Sequence, residues 1–188
     1  MGENFCFTVN GVERCTSEDK PLLRYLRDDL HLHSVKDGCS EGACGTCTVL
    51  VDGKAVKACV QKVSRFVGKS VLTVEGLSQR EREVYEHCFG AAGAVQCGFC
   101  IPGMVICAKA LLDKNPDPSP ADVKKAIRGN ICRCTGYKKI EEAILMAGKY
   151  FRENLEIPQD PKELHMDQRF NRPDAAKKVN GTGKYVDD

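Results

Sequence analysis

The sequence predicts an α+β protein in two modules, a small sheet gathered around one helix and then a small bundle of four helices. Two observations carry this. Up to about Glu75 the apolar runs are short, β-rich and joined by tight-turn dipeptides, and beyond that point they take helical spacing. Phe5, Phe7 and Val9 alternate with Cys6, Thr8 and Asn10. Asn10-Gly11 then turns the chain into Val12–Cys15, which makes a hairpin. A short helix follows, with Pro21 early and Leu22, Leu23, Leu26 and Leu30 at helical intervals. A loop from Val35 to Cys47 leads to Thr48–Val51, and Asp52-Gly53 returns the chain through Lys54–Val56 as a second hairpin. Val71–Val74 supplies one more strand.

The second module reads as helices over Ser78–Ala91, Phe99–Lys114, Pro120–Arg128 and Lys138–Asn154. The third is the best bounded. Ser119 suits the N-cap, Pro120 the first turn, Asp122 the position three after the cap, and Gly129 the stop. From Ile157 to Asp188 the chain is polar and punctuated by proline, and reads as linker or tail rather than core.

Composition narrows the function classes. In 188 residues, 28 Lys and Arg face 26 Asp and Glu, so there is no broad cationic footprint for nucleic acid. No apolar run approaches the roughly 18 residues of a membrane span, and the N-terminus lacks a signal peptide's apolar stretch. A cytoplasmic protein is expected. Cysteine is the anomaly, at 12 residues with no Trp, and without an export signal this favours metal or redox chemistry over disulfides.

Spacing sorts eight of the cysteines into two metal sites. The first is Cys39-x4-Cys44-x2-Cys47 with Cys59 after eleven intervening residues, the plant-type ferredoxin order for a [2Fe–2S] cluster. Three thiolates from nine residues must converge on a diiron core, and Gly38, Gly42 and Gly45 let the backbone wrap closely enough. Such a loop aims amide N–H groups at the sulfurs and tunes the potential. Structural zinc more usually takes short pairs from two knuckles. The second group, Cys97-x2-Cys100 and Cys132-x-Cys134, is separated by 31 residues. On spacing it suits zinc, a redox dithiol or a cluster alike. Both pairs lie at expected helix ends, where free N–H groups favour an anionic centre. A neighbouring ferredoxin-like module favours the cluster, since two one-electron sites make a relay.

The other four cysteines, Cys6, Cys15, Cys88 and Cys107, read as small buried apolar residues. His31, His33, His87 and His165 lie outside the cysteine motifs and read as surface residues. No Walker loop, dinucleotide fingerprint or nucleophile elbow is present, so no nucleotide site and no catalytic residue is assigned.

The paired motifs GCSEGACGTC…C and QCGFC…CRCTGY resemble the iron–sulfur subunit of the molybdenum hydroxylases, the xanthine dehydrogenase and aldehyde oxidase family, across nearly all of residues 4–155. The resemblance implies a β-grasp ferredoxin-like domain at 1–76 and a four-helix [2Fe–2S] domain at 77–156. Carried over by motif, Cys39, Cys44, Cys47 and Cys59 hold the cluster on the flavin side. Cys97, Cys100, Cys132 and Cys134 hold the one nearer the molybdenum. Gln96 and Cys134 are implied to approach the molybdopterin, with Gln96 expected as a buried amide beside a ligand. Residues 157–188, through Arg172-Pro173-Asp174, Lys178-Val179, Gly181 and Lys184-Tyr185, resemble the opening of the molybdopterin-binding subunit. That layout is similar to fused aldehyde oxidoreductases and selenium-dependent xanthine dehydrogenases, and KDGCSEGACGTCTVLVDGKAVKACV with KKAIRGNICRCTGY leans towards the second.

The implied role is an electron relay in a molybdenum oxidoreductase, passing single electrons from molybdenum through two [2Fe–2S] clusters toward FAD. The partners are then a molybdopterin-binding large subunit and an FAD-binding subunit, with no substrate site in this chain. Purine is the expected substrate class and aldehyde the alternative. Two other classes compete. A zinc-stabilised interaction module would be colourless, and a free-standing ferredoxin would keep no large subunit.

Overall fold

The computed structural model describes residues 4–158, 172–186 and 188. A five-stranded sheet has the order β2-β1-β5-β3-β4, from β1 (Phe5–Val9), β2 (Val12–Thr16), β3 (Thr48–Val51), β4 (Lys54–Lys57) and β5 (Ser70–Leu72). Both expected hairpins form. Asn10 and Gly11 have φ of 51° and 81°, and Asp52 and Gly53 have 46° and 75°. Positive φ at both central residues is what a two-residue turn needs to match the strand twist. β5 joins the hairpins, running parallel to β1 and antiparallel to β3.

The sheet divides two cores because β3 is buried on both faces. Val49 and Val51 pack with Phe7, Leu22, Leu26 and Phe66, while Leu50 turns to the helices. α1 (Leu22–Arg24) closes the first core and continues into a wider turn over Tyr25–Asp29. The remaining helices are α2 (Gln79–Ala91), α3 (Ile101–Leu112), α4 (Pro120–Ile127), α5 (Lys138–Arg152) and α6 (Ala175–Val179). Ser119 and Asp122 form the capping box on α4, as their spacing predicts, and Ser78 with Glu81 forms a second on α2.

α3 is the central helix. Every residue from Ile101 to Ala108 is buried. Full burial of Ile101, Met104 and Ile106 contributes about 1.5–3 kcal/mol each. Gly103 lets α3 approach the backbone of the first cysteine loop, where a Cβ would stand 2.8 Å from the Gly45 carbonyl oxygen.

Two expectations are corrected. Part of the tail is core: Ala175 and Val179, four residues apart on α6, bury one apolar face with the α2 and α3 residues. Five residues are too few for periodicity to announce such a helix. Cys6 and Cys15 are not buried free thiols. They face each other across β1 and β2 and are joined as a disulfide, with Cys15 exposed. Cys88 and Cys107 are buried free thiols, as expected.

Candidate metal centre

The first cysteine loop runs from the end of the α1 segment to β3. Its start is tied by Asp37, whose carboxylate accepts from the Ser40 N–H at 3.1 Å and from the Ser40 hydroxyl. Gly42 and Gly45 take φ of 80° and 73°, folding the chain back over itself. The Cys44 N–H then points at the Cys39 sulfur, 3.4 Å away. Cys47 enters β3, and the Asp52-Gly53 hairpin returns Cys59 beside it, with the Ala58 N–H donating to the Cys47 carbonyl at 3.2 Å. Cys39 therefore meets Cys44, and Cys47 meets Cys59, through side-chain hydrogen bonds. Lys57, leaving β4, reaches across the loop to the Gly42 carbonyl at 2.6 Å.

The second group assembles at helix starts. Cys97 lies in the turn before α3 and Cys100 is that helix's N-cap residue. Cys132 and Cys134 lie in the segment leading to α5. The Cys97 and Cys134 sulfurs are 3.7 Å apart and exposed. Cys100 meets Cys132 inside. The Thr135 N–H donates to the Cys132 sulfur at 3.4 Å. The cysteines predicted from spacing thus meet in pairs: Cys39 with Cys44 and Cys47 with Cys59 from the first set, Cys97 with Cys134 and Cys100 with Cys132 from the second.

Electrostatics separate the pairs. The Cys44 N–H bonded to its sulfur brings the Cys39 thiol down to about 7. Burial pushes Cys47 up to about 12 and drives Cys100 up strongly. Burial also opposes ionisation of Cys132, but bonds from Thr135 outweigh it and its pKa falls. Buried thiolates of this kind need a cation beside them. Among the described residues no three His, Cys, Asp or Glu side chains converge closely enough to hold a single metal ion.

Gln96 departs from expectation. It is exposed, and the Arg172 guanidinium and Lys178 ammonium donate to its carbonyl at 2.8 and 3.2 Å. Gln96 lies on the turn leading into Cys97, outside the packed face of α3, so its amide looks outward. The segment after residue 171 also packs against the Cys97 turn. The Tyr185 hydroxyl donates to the Cys97 carbonyl at 2.7 Å, and its ring packs edge-on to Phe99. Asp188 buries its carboxylate between Lys36 at 2.5 Å and Arg27 at 3.0 Å.

Sequence reasoning assigned no role to Lys57, Asn130 or Tyr137, which support the cysteines without ligand spacing of their own, and named Tyr185 only within the tail's resemblance. Only the turn register could have shown the Cys6–Cys15 pair, because an Asn10-Gly11 turn sets residues 6 and 15 opposite each other. Among the histidines, His31 is exposed, while His33 and His87 are partly buried, His87 against the Tyr150 hydroxyl at 2.9 Å. His165 lies outside the described residues.

Comparison with known proteins agrees with this geometry. Residues 21–83 match the model of a 2Fe-2S iron-sulfur cluster binding domain, and residues 73–145 that of a [2Fe-2S] binding domain. The nicotinate dehydrogenase small FeS subunit of Eubacterium barkeri is 47% identical over 142 residues, covering 74% of this chain and 90% of that protein. The aldehyde oxidoreductase of Megalodesulfovibrio gigas is 40% identical over 189 residues, covering 95% of this chain and 21% of its own length. The crystal structure of the aldehyde oxidoreductase from Desulfovibrio desulfuricans superposes with a TM-score of 0.89 at 39% identity, covering 97% of this chain and 21% of that one.

Proposed function

Because the chain belongs to the iron–sulfur subunits of the molybdenum hydroxylases and carries two [2Fe–2S]-binding domains, we propose that its two cysteine groups are the ends of an electron relay. Cys39, Cys44, Cys47 and Cys59 hold one cluster, and Cys97, Cys100, Cys132 and Cys134 hold the other. The observation that carries this is the two-by-two meeting of thiols in both groups. When bound, each cluster supplies reversible one-electron chemistry. The chain's own residues ligate, orient and tune. The N–H groups of Cys44 and Thr135 stabilise negative charge on sulfur, and the Lys57 ammonium favours an added electron at the first group.

The domain reading that fits is a β-grasp ferredoxin-like unit over 1–76 and a four-helix unit of α2 to α5 over 77–156. The two share the face where α3 meets β3. Residues 157–188 lead into a molybdopterin-binding part, which the similarity to an aldehyde oxidoreductase through this segment supports. Exposure of Gln96 and Cys134 suits contact with a molybdopterin held by a partner. Electrons would leave through the first group toward FAD on another partner, in the cytoplasm. No helix among the described residues is long and apolar enough to cross a membrane.

Substrate chemistry lies with the partner. Purine hydroxylation follows from the cysteine-loop sequences, and aldehyde oxidation from the match that extends over residues 172–188. Assaying the assembled enzyme with xanthine and with an aldehyde separates the two. The relay is tested by low-temperature EPR of the dithionite-reduced protein with iron measured on the same sample. Two S = 1/2 signals with about four iron per chain support it. Stoichiometric zinc with no signal overturns it. Cys44→Ser should abolish one signal and spare the other.

A further inference from the structure

The first cysteine loop and the segment carrying Cys132 touch through backbone. The Ile131 N–H donates to the Cys44 carbonyl at 2.8 Å, and Cys132 is the next residue. A single hydrogen bond therefore links the main chain of one cysteine in the first group to the main chain beside one in the second. Gly45 makes the approach possible, since a Cβ there would lie 2.3 Å from the Gly129 carbonyl oxygen.

Asn130 holds this junction. Its side chain is 3% exposed and lies between both groups. The amide nitrogen donates to the Gly45 carbonyl at 2.9 Å, and the amide oxygen accepts from the Cys107 thiol at 3.1 Å. Its backbone carbonyl accepts from the Tyr137 hydroxyl at 3.1 Å, and that hydroxyl accepts from the Cys132 N–H at 2.9 Å. One residue thus grips the loop of the first group directly, the backbone of the second through Tyr137, and the central helix through Cys107. A buried amide with both ends satisfied is rigid, and losing one partner leaves the other costly to bury.

We propose that Asn130 is a positioning residue that fixes the separation and orientation of the two clusters, and with them the rate of electron exchange between them. This rests on the eight-cysteine reading above. The step it governs is a one-electron exchange in which one cluster is oxidised as the other is reduced, with no bond made and no proton moved. Tunnelling and spin–spin coupling both weaken steeply with distance, so a loosened junction registers in each.

The experiment compares wild type, Asn130→Ala and Cys107→Ala as the full chain with clusters loaded. Three quantities are read: iron per chain, the spin–spin splitting in the EPR spectrum of the doubly reduced protein, and the intramolecular transfer rate after pulsed reduction. Expected is about four iron per chain with a narrowed splitting and a severalfold slower transfer in Asn130→Ala, and the same direction at smaller size in Cys107→Ala. A full iron complement with wild-type splitting and rate in Asn130→Ala overturns the proposal, even if its melting temperature falls. If Asn130→Ala loses iron, Cys107→Ala decides by the same criteria. A wild type with fewer than two clusters overturns the relay reading instead.

Discussion

Gly45 and Gly53 have nearly the same backbone angle, φ of 73° and 75°, yet opposite surroundings. A Cβ at Gly53 would meet nothing within 4 Å, and one at Gly45 would press to 2.3 Å from the Gly129 carbonyl and 3.0 Å from the Asn130 Cα. Alanine at either site bears the left-handed strain of about 1–2 kcal/mol. At Gly53 nothing else changes. At Gly45 the clash is with main chain, so the loop must move and its hydrogen bonds go with it. These are the Thr48 hydroxyl and the Asn130 amide on the Gly45 carbonyl, and the Ile131 N–H on that of Cys44. At about 1 kcal/mol each, added to the strain, they bring the loss at Gly45 to about 4–5 kcal/mol. For a chain of this size that is about 8–20 °C in apparent melting temperature, against about 2–8 °C for Gly53→Ala. Circular dichroism melts, with iron per chain measured alongside, read both variants. Midpoints within about 2 °C of each other, at equal iron content, would refute the claim that the loop is held by backbone contact.

Further predictions follow from other contacts. Lys57→Met should move the first cluster's midpoint potential to more negative values and leave the second unchanged, as read by an EPR-monitored redox titration. Asp188→Ala removes the carboxylate from the buried Lys36 ammonium, a cost of about 3 kcal/mol, so amide exchange across 172–186 should accelerate while iron content holds. Burial raises the Asp188 pKa, but bonds from Lys36 and Arg27 outweigh this and leave it below 3.8. The folded value being depressed, this docking contribution is complete above the ordinary carboxylate pKa and disappears as pH falls through the lower folded one. Protection of 172–186 should fall only on acidification below about 4, the ordinary aspartate range. Ser119→Ala, removing an exposed capping box, should cost about 1 kcal/mol in chemical unfolding without changing the iron content.

What could be read from sequence was local. Both hairpins were legible because Asn-Gly and Asp-Gly dictate their own turn geometry, and α4 because its cap and its apolar face agree. The two [2Fe–2S]-binding domains were legible because cysteine spacing is a property of short segments. Contacts between distant segments were not. Nothing in Ser70–Leu72 says that it lies parallel to β1, and nothing in Ala175–Val179 says that two small side chains have a core to enter. Gln96 was expected buried because a motif neighbour of a ligand suggests enclosure, but exposure depends on which way a turn leaves α3. Asn130 looked like one more polar residue after a helix stop. Its importance lies in Gly45 and Cys107, which only the fold brings to it.

The ion pairs at Asp188 also bear on how the protein is made. Arg27 and Lys36 are synthesised long before the carboxylate that neutralises them, and all eight cysteines leave the ribosome ahead of α6. At roughly 5–20 residues per second, seconds pass between the synthesis of those cations and that of Asp188. Docking of the last described segment through Tyr185 and Asp188 therefore follows the synthesis of every cysteine of both groups, while Cys97 and Cys134 stay exposed in the finished fold.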